Sequence, residues 1–164
     1  MKVRTDFVTN SSSSSFILAF KDEESIEDTL REQFPDVENG WSAGEEGYLN
    51  QLLSEIRDAH RLTSDEVAET IREDVGTRWS FSDYVTRKHG LTYSGVYEFM
   101  RTDKGNQEFQ EYCQKRVNSV LDVIGDRQVI VQVEHGDGGE GEDGVLEHEI
   151  LPRLDCTVAR FSHH

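Results

Sequence analysis

The sequence predicts an α+β fold in which a mixed or antiparallel sheet of about four to five strands is packed by a helical middle segment. Three observations lead to this prediction. A continuous apolar run, Phe16 to Phe20, has the length of a strand buried on both faces. Apolar residues then recur every three or four positions through the middle of the chain, and the period changes to two after residue 128. With 164 residues, the chain is expected to form a single domain over 1–164.

The N-terminal leader, residues 1–20, is predicted to contain a strand, a loop and a second strand. Asp6 to Thr9 would be a short partner strand for Phe16 to Phe20. The five serines Ser11 to Ser15 would form the connection between them. Because apolar segments flank the serines, we expect this loop to be held at both ends.

The helical middle, residues 21–125, shows helical apolar spacing with recognisable start and stop signals. An aromatic-rich stretch within it is expected to be fully packed. The first two predicted helices are Lys21 to Phe34 and Ala43 to Leu62. A third begins with a capping box at Thr63 to Glu66 and ends at Gly76, and two short helices lie between Trp79 and Gly105, with breaks at Gly90 and Gly95. The last is Asn106 to Ile124.

The C-terminal part, residues 126–164, is predicted to consist of strands. Alternating valines indicate a strand at Gln128 to Val133. Val145 to Leu151, with Val145, Glu147, Glu149 and Leu151 on one side, and Thr157 to Phe161 are predicted as the second and third strands. The first two would form a hairpin around a glycine-rich acidic loop. We expect the early strand, Phe16 to Phe20, to insert among these late strands.

Charge limits the kinds of partner. The chain has 33 acidic and 17 basic residues, which gives a formal charge of -16. A field of this sign repels phosphate backbones and anionic lipid, so we expect no direct nucleic acid binding and no membrane binding. Docking on a basic protein partner is one interpretation, and solubility alone is the other. The oligomeric state is left open.

The cysteines indicate the compartment. Cys113 and Cys156 are the only two, and they form no CxxC motif. Two widely spaced thiols favour a reducing setting. The sequence shows no apolar segment of signal-peptide or membrane-spanning length. These features predict a cytoplasmic protein.

The serine run is a candidate site of modification or anion binding, formed by Asn10, Ser11, Ser12, Ser13, Ser14 and Ser15. Hydroxyl and backbone N–H groups could donate to an anion, although the run lacks the glycines and lysine of a phosphate loop. Serine hydroxyls are also acceptors for covalent phosphate or sugar. The third interpretation is a polar connection that satisfies its own backbone.

The leader also carries a resemblance. Arg4 to Asn10, the serines and Phe16-Ile17 resemble the starts of many small uncharacterised bacterial and phage proteins. In those proteins an Arg-x-x-Phe-Val-Ser/Thr-Asn segment precedes a serine run and a β segment, and only Thr9 departs from the commoner serine. The resemblance implies an intracellular or phage-encoded protein with a shared handling signal. It transfers no activity.

A second candidate site lies near the C-terminus, where imidazole and carboxylate groups collect. If the predicted hairpin forms, His135 would approach the segment around His148. Imidazoles and carboxylates are ligands for zinc, manganese or iron, and a catalytic centre would leave one position open for water. No HExxH or comparable spacing is present, so surface histidines are the competing interpretation. The predicted ligands of this divalent metal are His135, Asp137, His148 and His163.

These observations predict a non-enzymatic accessory or protein-interaction protein that presents an acidic face to a partner. The sequence contains no G-x-S-x-G nucleophile elbow, and serine alone does not indicate catalysis. Two alternatives stay open. One is a metal-dependent hydrolase or nuclease that uses the C-terminal histidines and acids. The other is a substrate of serine modification at the leader.

Overall fold

The computed structural model describes residues 13–35, 44–77, 79–136 and 142–162. The chain divides into two compact units. The sheet unit comprises residues 1–62 and 126–164, and the helical unit comprises residues 63–125. The single domain expected for 1–164 stays a prediction, because compactness alone does not decide whether two units fold together. The predicted strand at Asp6 to Thr9 lies outside the described residues.

The described residues form one antiparallel sheet of three strands. They are β1 (Ser13–Phe20), β2 (Val129–Gly136) and β3 (Thr157–Ser162), and their order is β2-β1-β3. The early strand therefore lies between two late strands, which confirms the expected insertion. The four to five strands predicted from the sequence are not confirmed.

Strand β1 is buried on both faces, as its apolar run predicts. Phe16, Leu18 and Phe20 belong to the main core, and each is exposed by 1% or less. Ile17 and Ala19, which alternate with them, are equally buried. Across the sheet, the core side of β1 is matched in register by the core side of β2: Phe16 with Val133, Leu18 with Val131, and Phe20 with Val129.

Two helices complete the core of the sheet unit before the chain enters the helical unit. They are α1 (Ile26–Gln33) and α2 (Gly44–Asp58). Leu30 of α1 and Leu52 of α2 are fully buried in the core. The predicted start of α1 at residue 21 is too early, because Asp22 and Ser25 exchange hydrogen bonds in a turn that precedes the helix.

The segment Val145 to Leu151, predicted to be a strand, is helical. The chain forms a short helix α7 (Glu142–Val145), a π-helix (Leu146–Ile150) and a 3₁₀ turn (Leu151–Arg153). Leu146, Ile150 and Leu154 follow one another at intervals of four and are all buried in the core. Helical spacing therefore buries three large side chains, whereas a strand would have placed His148 and Pro152 on the same face as them. Among the described residues, the segment predicted as the second strand of the hairpin is therefore not a strand.

The helical unit contains four helices among its described residues: α3 (Ser64–Thr77), α4 (Trp79–His89), α5 (Tyr93–Met100) and α6 (Asp103–Ile124). The capping box that opens α3 is confirmed, since the backbone N–H of Thr63 donates to Glu66 Oε2 at 2.7 Å and the N–H of Glu66 donates to Thr63 Oγ1 at 3.2 Å. Helix α4 ends at Gly90, which has a φ of 64°. That break was predicted correctly.

The break predicted at Gly95 is wrong. Gly95 lies in the first turn of α5, where its N–H donates to the capping hydroxyl of Thr92 at 3.3 Å. The chain turns after Met100 instead, because Thr102 caps the next helix through the N–H of Gly105 at 3.0 Å. For the same reason α6 begins three residues before the predicted Asn106.

Candidate functional sites

A polar cluster closes one end of the core of the sheet unit. We define it as Ser14, Glu55, His135, Glu147 and His148, of which Ser14, His135 and Glu147 are buried. Side chains alternate along a strand, so Ser14 shares the core side of β1 with Phe16 and Leu18, and its partner in register on β2 is His135. The apolar core thus ends in a serine and a histidine, which are 0% and 3% exposed.

The serine of this cluster is bonded to the π-helix. Ser14 Oγ donates to Glu147 Oε1 at 2.6 Å, and both side chains are fully buried. A buried hydroxyl needs such a partner, because leaving it unpaired costs about 1–3 kcal/mol. The bond therefore links the serine run to a residue 133 positions later in the chain.

The second carboxyl oxygen of Glu147 lacks a hydrogen bond within the described part of the chain. Glu147 Oε2 is buried and has no hydrogen-bond partner among the described residues. His148 Nε2 lies 3.6 Å away, on a ring whose side chain is 47% exposed. π-Helical turns are rare and often occur at functional sites, where they reorient a side chain. Here the π-helix places a glutamate inside the core with one carboxyl oxygen that accepts no hydrogen bond from the described residues.

The histidine of the cluster is bonded to α2. His135 Nε2 lies 2.7 Å from Glu55 Oε2. Gln51 donates to the other oxygen of Glu55 at 3.1 Å. The carboxylate thus fixes the ring against α2, and because its side chain is 33% exposed, the pair connects the buried residues of the cluster to solvent.

The predicted metal ligands are not assembled in the part of the chain that the structure describes. His135 bonds Glu55, whereas His148 lies beside Glu147 on the π-helix. Asp137 and His163 lie outside the described residues. Within the described ranges, no group of three or more histidine, cysteine, aspartate or glutamate side chains is placed to hold a metal ion. The divalent metal stays a prediction.

The last three serines of the run do not form the loop that the sequence predicts. Ser13, Ser14 and Ser15 belong to strand β1, and the last two are 0% and 4% exposed. Asn10 to Ser12 lie outside the described residues. In the folded chain, the hydroxyls of Ser14 and Ser15 are out of reach of a modifying enzyme, whereas Ser13 is partly exposed.

A different kind of site lies on the helical unit. Tyr93, Tyr97 and Met100 follow one another at positions i, i+4 and i+7 of α5 and therefore lie on one side of the helix. They are 73%, 63% and 40% exposed, and they make up three of the four large exposed hydrophobic residues among the described part of the chain. We call these three residues the α5 face. The fourth is Val123 on α6.

The opposite side of α5 anchors the helix. Val96 is 3% exposed, and the ring of Phe99 packs 4.8 Å from that of His89. Close packing also holds the C-terminal end of α5, since a Cβ on Gly105 would lie 1.9 Å from the carbonyl oxygen of Phe99. The α5 face is therefore carried by a fixed helix rather than by a loop.

Charge is distributed unevenly between the units. The helical unit has eleven acidic and eight basic residues, a formal charge of -3, whereas the sheet unit has 22 acidic and nine basic residues, a formal charge of -13. Beside the α5 face, the guanidinium of Arg101 lies 5.4 Å from the centre of the Tyr97 ring. The face is thus apolar, flanked by a cation, and part of the less acidic unit.

The sequence does not reveal this surface. Its aromatic-rich stretch predicts packed side chains, whereas Tyr93 and Tyr97 are exposed. Helix α5 is apolar on both sides, so spacing alone could not tell which side faces the core. The predicted acidic face remains untested.

Comparison of the chain with protein-family models, curated proteins and solved structures gave no match. Within the described ranges, none of the helices is long and apolar enough to cross a bilayer.

Proposed function

We propose that this chain is a non-enzymatic interaction protein that binds a basic, amphipathic polypeptide through the α5 face. The observation that carries the proposal is the exposure of Tyr93, Tyr97 and Met100 along one side of a single helix. Tyrosine, methionine and arginine are enriched at protein interfaces, and tyrosine is frequent among the residues that dominate binding energy. Such side chains gain free energy when a partner removes them from water.

The charge of the chain favours one kind of occupant. A second copy would bring another formal charge of -16 towards the first, so long-range electrostatics oppose self-association. A partner rich in lysine and arginine would instead be steered towards the chain. The partner we propose therefore has apolar side chains that pack on the α5 face, and around them basic side chains that are attracted by the net negative charge of the chain.

A defined probe tests this proposal. The probe is a fluorescein-labelled synthetic helix with leucines on one side and lysines on the other, and binding is measured by fluorescence anisotropy. The variant is Tyr93→Ser with Tyr97→Ser, and the matched control is Val123→Ser, which removes an apolar side chain that is 55% exposed on another helix. We expect the double variant to bind at least about tenfold more weakly and the control to stay within about twofold of wild type.

Two further arms separate apolar binding from charge alone. A probe with glutamates in place of lysines is expected not to bind. Raising NaCl from about 50 mM to about 500 mM should weaken the wild-type complex, because salt screens the steering field. Equal binding by wild type and the double variant would overturn the proposal and leave only non-specific attraction to an acidic protein.

The cysteines support a cytoplasmic setting for this interaction. Cys113 and Cys156 are both free and buried. Burial raises the pKa of the Cys156 thiol to about 12, so that the sulfur behaves as an apolar group. Free thiols of this kind persist in reducing compartments.

A further inference from the structure

A concave site lies on the helical unit, on helices other than the one that carries the α5 face. It is a cleft of about 620 Å³ between α4 and α6, which we call the aromatic cleft. Its volume lies within the range of small-molecule sites, about 300–1,000 Å³. The lining residues from α4 occur at intervals of three and four and so share one side of that helix. They are Ser80, Asp83, Tyr84, Arg87 and Lys88, and α6 adds Tyr112.

The floor of the aromatic cleft is a pair of tyrosine rings. The centres of the Tyr84 and Tyr112 rings are 5.0 Å apart, and their planes are tilted by 39°. Both rings contact Phe81, which is 1% exposed, at 6.0 and 5.4 Å. Phe81 in turn meets the ring of Phe109 edge-on at 5.2 Å. Buried aromatic packing therefore fixes the orientation of both tyrosines.

Two basic residues, Arg87 and Lys88, line the aromatic cleft beside the tyrosine rings. Lys88 Nζ donates to the hydroxyl of Tyr84 at 3.2 Å and lies 3.4 Å from Glu108 Oε1. These contacts hold the ammonium group in place, because Glu108 is itself bonded by His89 at 2.9 Å. The Arg87 side chain also lines the cleft and is exposed.

Basic residues outnumber acidic ones at the cleft. Arg87 and Lys88 line it with Asp83, and Lys115 and Arg116 follow Tyr112 by one turn of α6. Glu108, one turn before Tyr112, pairs with Lys88, so Arg87 is the lining cation left to meet a ligand. Asp83 is the one carboxylate among the lining residues. The sequence does not reveal this arrangement, because 27 positions or more separate the basic pair of α4 from that of α6.

We propose that the aromatic cleft binds a small molecule in which a planar aromatic ring carries an anionic group, of the aryl phosphate or aryl carboxylate class. The ring stacks on Tyr84 and Tyr112, where offset aromatic contacts are favourable. Arg87 donates to the anion through its planar guanidinium, which matches phosphate and carboxylate geometry. A nucleic acid strand is the less favoured occupant, since the chain as a whole has a formal charge of -16.

The test uses phenyl phosphate as the probe and amide NMR spectra of the whole chain as the readout. Inorganic phosphate and phenol are titrated separately as the two halves of the probe. We expect phenyl phosphate to cause saturable shifts in α4 and α6, and each half alone to bind at least about tenfold more weakly. If inorganic phosphate binds as well as phenyl phosphate, the ring contributes nothing and the proposal fails.

Variants assign the contacts. Arg87→Gln is expected to weaken phenyl phosphate at least about fivefold, and Tyr112→Leu to remove the preference for phenyl phosphate over inorganic phosphate. Lys104→Gln is the matched control, since Lys104 is an exposed cation on α6 that does not line the cleft. Equal loss in Arg87→Gln and Lys104→Gln would indicate general electrostatic attraction and overturn the proposal. Tighter binding of a short oligothymidylate at the same residues would overturn it in favour of a nucleic acid site.

Discussion

Replacing Ser14 by alanine tests whether the serine run is part of the folded core. The hydroxyl of Ser14 donates to Glu147 Oε1 at 2.6 Å, and both residues are fully buried. Ser14→Ala removes the donor, and the alanine side chain offers no replacement. Ser13→Ala is the matched control, because Ser13 is the neighbouring residue at the start of β1 and is partly exposed.

The expected loss follows from the environment of the carboxyl group. Its other oxygen, Glu147 Oε2, already lacks a hydrogen-bond partner among the described residues. Ser14→Ala would therefore leave both oxygens unsatisfied inside the core. Leaving a buried acceptor unsatisfied costs about 1–3 kcal/mol, so we expect a loss of about 2 kcal/mol. In a chain of this size, that loss lowers the thermal midpoint by about 4–8 °C.

Urea unfolding followed by far-ultraviolet circular dichroism measures the difference. We expect Ser13→Ala to stay within about 0.5 kcal/mol of wild type. Adding Glu147→Leu to Ser14→Ala should cost less than the sum of the two single losses, since removing both polar partners leaves no buried group unpaired. Equal unfolding free energies for Ser14→Ala and Ser13→Ala would refute the reasoning.

Three further predictions concern the helical unit and the thiols. Gly105→Ala should destabilise the chain by about 1–3 kcal/mol, because the new Cβ would lie 1.9 Å from a backbone oxygen of α5. Gly76→Ala, whose Cβ would lie 3.9 Å from its nearest neighbour, should be neutral or stabilising by up to about 1 kcal/mol. Thermal unfolding of both variants measures the difference, and equal midpoints would contradict it. The hydrogen bond from His89 is the main reason that the pKa of Glu108 lies below its usual value. Ionised Glu108 therefore contributes fully to the stability of the fold above the ordinary glutamate pKa, and this contribution is lost as pH falls through the lowered pKa of the folded state. Midpoints measured from about pH 6 down to about pH 3 should therefore fall more steeply for wild type than for Glu108→Gln, and parallel curves would count against this bond. Cys156, with a pKa of about 12, should be alkylated by a maleimide at about pH 8 only at the rate at which the core opens, so rapid labelling of the native chain would contradict its burial.

The sequence predicted the elements whose patterns are long or unambiguous. Phe16 to Phe20 could only be a buried strand or a fragment of buried helix, and its length decided for the strand. The capping box at Thr63 and Glu66 also fixed the start of α3 correctly, because the two side chains bond within one turn. Local chemistry of this kind does not depend on the rest of the fold.

The failures arose where tertiary packing decides. Between Val145 and Leu151 the segment has the length of a strand, yet Leu146 and Ile150 have helical spacing. Burial of these two side chains in the core selected the helix. The partner of Ser14 could not be predicted for a similar reason, since 133 positions separate it from Glu147.

The measurement that tests the central claim most directly is amide NMR mapping of the basic amphipathic peptide on the whole chain. The account predicts that saturable shifts concentrate in residues 93–101, around the α5 face, and that strand β1 in the acidic sheet unit stays unchanged. Shifts that concentrate in the sheet unit and spare α5 would contradict it, because charge alone would then determine where the peptide binds.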